Sequence, residues 1–130
     1  MPKATVNASA ERYELKSCPG GFIEIKRMSY GQWLKRQEMA VKMQVQQQRK
    51  GGNQSMDVSM EALKIALFEY KHCVVDHNLE DEGGQKLNLN SPDGVEQLDP
   101  QIGNEIGDII EEIHAPVKDS GNSNSGSEPQ

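Results

Sequence analysis

The stretch "MEALKIALFEYKHCVVDHNL", Met60–Leu79, repeats its apolar residues at helical spacing, and its reading decides the fold. Met60, Leu63, Ala66, Leu67, Tyr70 and Val74, continued backwards by Met56, form one stripe. Ile65, Phe68, His72 and Val75 form a second stripe on another side. The pattern predicts a helix that starts at Ser55–Asp57, where cap-forming and acidic residues suit an N-terminus, and runs to about Asp76. A helix apolar over this much of its circumference belongs at the centre of a domain. It packs on two neighbours, or on one neighbour and another protein.

Towards the N-terminus, "KRMSYGQWLKR" (Lys26–Arg36) contains the single tryptophan. Ser29 followed by Gln32 matches a capping box, in which each side chain bonds the other residue's backbone amide. Met28 and Trp33 then occupy the positions of a hydrophobic staple, so Trp33 has a structural role without any ligand. The first helix is expected to reach about Arg49, with Arg49 and Lys50 at its negative end and Gly51 as its stop. Tyr30, Trp33, Leu34, Val41 and Val45 share a stripe assigned to the core. Met39 and Met43 project from the opposite side beside Arg36, where their adaptable side chains suit a partner. Before this helix, "YELK" and "FIEIK" flank the breaker cluster "SCPGG" and predict a β-hairpin, with Tyr13 and Leu15 on one face and Ile23 and Ile25 on another.

Beyond Leu79, "KLNLN" alternates and offers a third short strand, while "SPDGVEQL" has Ser91 as a cap and Pro92 at the first helical position. "LDPQIGNEIGDIIEEIHAP" repeats that grammar, with Asp99 as cap, Pro100 at N1 and the stripe Ile102, Ile106, Ile109, Ile113 closed by Ala115 and Pro116. Gly103 and Gly107 would permit a close backbone approach. The fold expected is mainly α: a small helical domain of three main helices with an N-terminal β-hairpin and a disordered C-terminal tail. Residues 1–10 form a flexible arm, 11–116 the domain and 117–130 the tail, whose "DSGNSNSGSEPQ" cannot bury anything.

A hydrophobic content of 35% in 130 residues, with a mean hydropathy of -0.74, leaves a modest core and favours self-association or a partner. No run approaches the roughly 18 apolar residues of a membrane span, and the first residues lack the apolar stretch of a secretion signal, so a soluble intracellular protein is expected. The net charge of -6 hides a division. Residues 1–54 carry ten Lys or Arg against four Asp or Glu, and residues 55–130 carry four against sixteen. Halves of opposite charge allow head-to-tail self-association or an internal match.

Motifs for chemistry fail on spacing. His72, Cys73 and His77, with Cys18 as a fourth donor, invite zinc, yet there is no CxxC or HxxxH pair and His72 points away from Cys73. His77 is read instead as a helix end. "DHNLEDEGGQKL" begins like a calcium loop but has Asp81 where glycine is needed and Leu87 where the bidentate glutamate belongs. No phosphate loop, acid–base pair or activated nucleophile is evident, so an enzyme is not expected and no metal or cofactor is assigned. Lys26, Arg27, Lys35, Arg36, Lys42, Arg49 and Lys50 around Tyr30 and Trp33 keep a small nucleic-acid-binding regulator as the alternative. The acidic second half counts against it.

The order of elements resembles the small tail assembly chaperones of long-tailed bacteriophages over about residues 12–115. It is carried by "GGFIEIKRMSYGQW", a polar helix, "MEALKIALFEYKHCVVDHNL" and "LNSPDGVEQLDPQIGNEIGDIIEEIH". The resemblance implies a non-enzymatic assembly factor of the host cytoplasm. Such a factor coats the helical tape measure protein, keeps it soluble, presents it to the major tail protein and is absent from the finished virion. The expected partner surface is Met39, Met43, Ile65, Phe68 and Val75; homo-oligomers are expected as well, and membranes are not.

Overall fold

A computed structural model describes residues 2–7, 9–50 and 55–115, with side chains throughout except at 46–50 and 55–59. The order is β1 (Glu11–Glu14), β2 (Phe22–Ile25), α1 (Tyr30–Lys50), α2 (Ser55–Cys73), β3 (Val74–His77), α3 (Pro92–Gln97) and α4 (Pro100–Ile113). The strands form one antiparallel sheet in the order β1-β2-β3. This corrects the mainly α expectation: among the described residues, four helices and a three-stranded sheet make a mixed α and β fold. The expected tail and the start of the second helix lie outside the described residues or side chains.

The decisive stretch changes conformation in its middle. Helix α2 ends at Cys73, and the next four residues pair with β2, Ile23 opposite His77 and Glu24 opposite Asp76, with a register shift between Glu24 and Ile25. Val74 and Val75 are β-branched and favour a pleated surface, and the open edge of β2 gives their backbone groups partners. The amide of Lys26 extends the ladder by donating to the Cys73 carbonyl at 2.9 Å. His77 therefore ends a strand rather than a helix. "KLNLN" makes only an isolated bridge, Glu80 with Lys86, but its Leu87 and Leu89 enter the core.

The hairpin forms with Glu11 opposite Ile25 and Tyr13 opposite Ile23, turning through Gly20 at φ +84°, a left-handed conformation that favours glycine. Cross-strand partners share a face, so Tyr13 and Ile23 are together, contrary to the separate faces expected. That inner face carries Leu15, Ile23 and Ile25 into a core with Met28, Tyr70, Cys73, Leu79, Ile106 and Ile110. Ile23, Ile106 and Ile110 are completely buried. Each stabilises the fold by about 1.5–3 kcal/mol relative to exposure. On the outer face, Arg12 lies over the Phe22 ring at 3.8 Å and pairs with Glu24 at 3.1 Å.

Local helix signals are obeyed closely. Ser29 N–H donates to Gln32 Oε1 at 3.0 Å and Gln32 N–H donates to Ser29 Oγ at 3.2 Å, completing the capping box at the head of α1. Ser91 caps α3 by accepting from the Gly94 amide, and Asp99 caps α4 by accepting from the Gln101 amide. The close approach expected at Gly103 and Gly107 occurs instead at Gly94, where any Cβ would overlap the Asn88 backbone. Glu105 of α4 ties the hairpin turn down. Its carboxylate accepts from Lys16 N–H, Ser17 N–H and the Ser17 hydroxyl at 2.6–2.9 Å, bonds that hold it below the usual carboxylate range.

Candidate interaction surface

Helix α1 runs antiparallel along α2, because Gln32 reaches His72 and, one turn later, Arg36 reaches Glu69 one turn earlier. Arg36 Nε donates to Glu69 Oε2 at 2.8 Å, with Glu69 buried and Arg36 nearly so. Burial raises the Glu69 carboxyl above its ordinary range, although Arg36 opposes that shift. At 3.6 residues per turn, Gln32, Arg36, Met39 and Met43 share one face of α1, and it is this face that meets α2. The assignment from hydrophobic spacing is reversed. Tyr30, Leu34, Val41 and Val45, expected in the core, face water, with exposures of 75%, 49%, 57% and 43%.

The reason lies in the opposing helix. Helix α2 presents Glu61, Ile65 and Glu69 along its buried line, so it demands a cation and polar groups from α1. Arg36 meets that demand, and Met39 with Met43 fills the gaps beside it, each partly buried. Glu61 is buried and paired with Lys64 at 3.5 Å. A seam joined by charge is invisible to a search for apolar stripes.

The five residues expected to bind a partner do not form one patch. Met39 and Met43 lie on the seam face of α1, and Ile65 is buried one turn before Glu69. Phe68 is half-buried, its ring tilted against His72 with centroids 4.5 Å apart. Val75, on β3, is 52% exposed. The open apolar surface is instead the Tyr30–Val45 line on the outside of α1. Lys35 and Lys42 flank it, both exposed, with Lys35 3.6 Å from Glu38. The clue in the sequence is Arg36, a charge beside Met39 and Met43 that has a buried acid, Glu69, to meet.

Trp33 takes the structural role expected of it. It packs on the core and stacks on His114, with centroids 5.1 Å apart and the planes 11° from parallel. Cys73 is buried, and burial pushes its thiol up to about 12, which keeps it protonated and unreactive at neutral pH. His77 accepts the Leu79 amide at Nδ1. Among the described residues, no group of three or more His, Cys, Asp or Glu is arranged to hold a metal ion. No helix among them is long and apolar enough to cross a membrane. Comparison with family models, curated proteins and solved structures finds no match.

Proposed function

We propose that this chain is a non-enzymatic tail assembly chaperone of a long-tailed bacteriophage, acting in the host cytoplasm. It binds the tape measure protein, keeps it soluble and promotes tail tube assembly with the major tail protein, and it is absent from the finished virion. The reading rests on the element order of residues 12–115 and on one structural observation: the Tyr30, Leu34, Val41 and Val45 line of α1 is open to water. An apolar line along a helix, edged by Lys35, Glu38 and Lys42, suits the apolar face of a long amphipathic helix. Contact along one narrow line is reversible, as a coat that must later be shed requires.

Co-expression with a long helical tape measure protein tests the proposal. The native chain is expected to keep that protein in the soluble fraction, and a Leu34→Asp, Val41→Asp variant, still folded by circular dichroism, is expected to lose the effect. Undiminished solubilisation by the variant, or none by the native chain, would overturn it.

The rival reading, a small nucleic-acid-binding regulator, draws on exposed Tyr30 beside exposed Arg27. Trp33, however, already stacks on His114, which leaves one free ring where a single-strand binder uses several. Binding of single-stranded DNA that weakens steeply with salt would favour the rival.

A further inference from the structure

A groove of about 480 Å³ opens where the β1–β2 turn, the chain after β3 and the start of α4 meet. Its floor is apolar, formed by Leu79, Leu87, Leu98 and Ile102. Its rim carries four carboxylates, Glu80, Asp81, Glu82 and Asp99. Asp81 and Asp99 each accept a backbone amide, from Gln85 and Gln101. Glu80 and Glu82 are exposed and join no ion pair among the described residues. An apolar floor inside an anionic rim is complementary to a segment that combines apolar side chains with flanking cations.

We propose that this groove receives the outer face of α1 from a second copy of the chain. That face supplies the matching chemistry: Leu34 and its apolar neighbours for the floor, and for the rim a flank of Lys35, Glu38 and Lys42 that is cationic on balance, Lys35 lying 3.6 Å from Glu38. The two surfaces lie at opposite ends of the same elements. Asp99 and Ile102 sit at the start of α4, whereas His114, just past its end, stacks on Trp33 in the first turns of α1. Fourteen helical residues separate these ends by about 20 Å, so a chain does not fill its own groove. Strand β2 agrees, running from the groove end at Gly21 towards Met28 and α1.

Such an interface is heterologous. Each added copy leaves one groove and one α1 face free, and the assembly grows head to tail into a ring or an open filament. A two-fold antiparallel pair of α1 faces is the poorer choice, because the Lys35, Glu38 and Lys42 flank, cationic on balance, would face its own copy and not a carboxylate rim. The proposal stands on charge and position and not on the chaperone reading. Because it uses the same α1 face, a partner helix and a second copy exclude one another.

Sedimentation velocity on the full chain tests this over a concentration series at low and high salt. The native chain is expected to grow past the dimer with concentration, less so at high salt. The variant pairs Lys35→Glu with Lys42→Glu, and Glu80→Lys with Glu82→Lys, alter exposed positions, and their folding is checked by circular dichroism. Each is expected to associate at least about tenfold more weakly alone. Mixed in equal amounts, the two should re-associate, since each reversed surface then meets a reversed counterpart. A native chain that stays monomeric, variants that associate as before, or a mixture that stays apart would each overturn the proposal. A native chain that stays monomeric while its tape measure binding is intact would remove this inference alone.

Discussion

The His114 imidazole joins α4 to the head of α1 by three contacts at once: it stacks on Trp33, its Nδ1–H donates to the Ile110 carbonyl at 2.7 Å, and its Nε2 accepts the Met28 amide at 2.7 Å. The ring must be neutral to accept at Nε2. Burial holds its pKa below the ordinary value, and the charges of Arg27 and Arg36 push the same way. Replacing His114 by Phe keeps a flat ring but leaves the Met28 amide without its acceptor. The expected cost is about 1–3 kcal/mol, read from urea unfolding at pH 7.

The pH dependence of stability follows from all three histidines. His72, His77 and His114 are each lowered from 6.5, chiefly by burial, so the unfolded chain takes up protons below 6.5 that the folded chain refuses. Their contribution is complete above 6.5 and is lost as pH falls through each folded pKa. Glu69, raised by burial, works in the opposite direction, one carboxyl against three imidazoles. The urea midpoint should therefore fall between pH 7 and about 5.5, with a shallower fall in His114→Phe. A midpoint that rises over that range would contradict the assignment.

The Arg36–Glu69 pair makes a third prediction. Arg36→Met alone strands a buried carboxylate and should cost about 3–5 kcal/mol. Arg36→Met together with Glu69→Leu replaces the pair by apolar groups of similar shape, and most of that loss should be recovered. The four chemical denaturation curves of the double-mutant cycle measure the difference.

The outer face of α1 distinguishes surface from core directly. Leu34→Asp and Val41→Asp should each change stability by no more than about 0.5 kcal/mol, as substitutions on an open surface do. Were these side chains core, truncating either to alanine would already cost about 2–5 kcal/mol. Thermal unfolding followed by circular dichroism reads the outcome.

Gly94 offers a fifth prediction. Its Cα lies so close to the Asn88 backbone that Gly94→Ala must displace the "KLNLN" segment or α3. The expected loss is about 3 kcal/mol, the upper range for forcing extra volume into a packed site. Gly107→Ala is the control, because a Cβ there meets nothing within 4 Å. It should be neutral or slightly stabilising, by up to about 1 kcal/mol, since alanine is the better helix former.

What the sequence alone determined is whatever a few neighbouring residues settle among themselves. Ser29 with Gln32, Ser91 with Pro92 and Asp99 with Pro100 start helices through bonds spanning three residues or fewer, and Gly20 turns the hairpin in place. The isoleucines of α4 announce an apolar face, although the completely buried pair is Ile106 and Ile110, and Ile110 lies outside the stripe Ile102, Ile106, Ile109, Ile113 expected from spacing. The tertiary structure alone decided that α2 gives way to a strand at Val74, since that depends on the open edge of β2, some fifty residues earlier. It also decided which face of α1 turns inward. There a buried acid at Glu69 must be met by a cation, and the face that carries Arg36 also turns Met39 and Met43 inward in place of Leu34, Val41 and Val45.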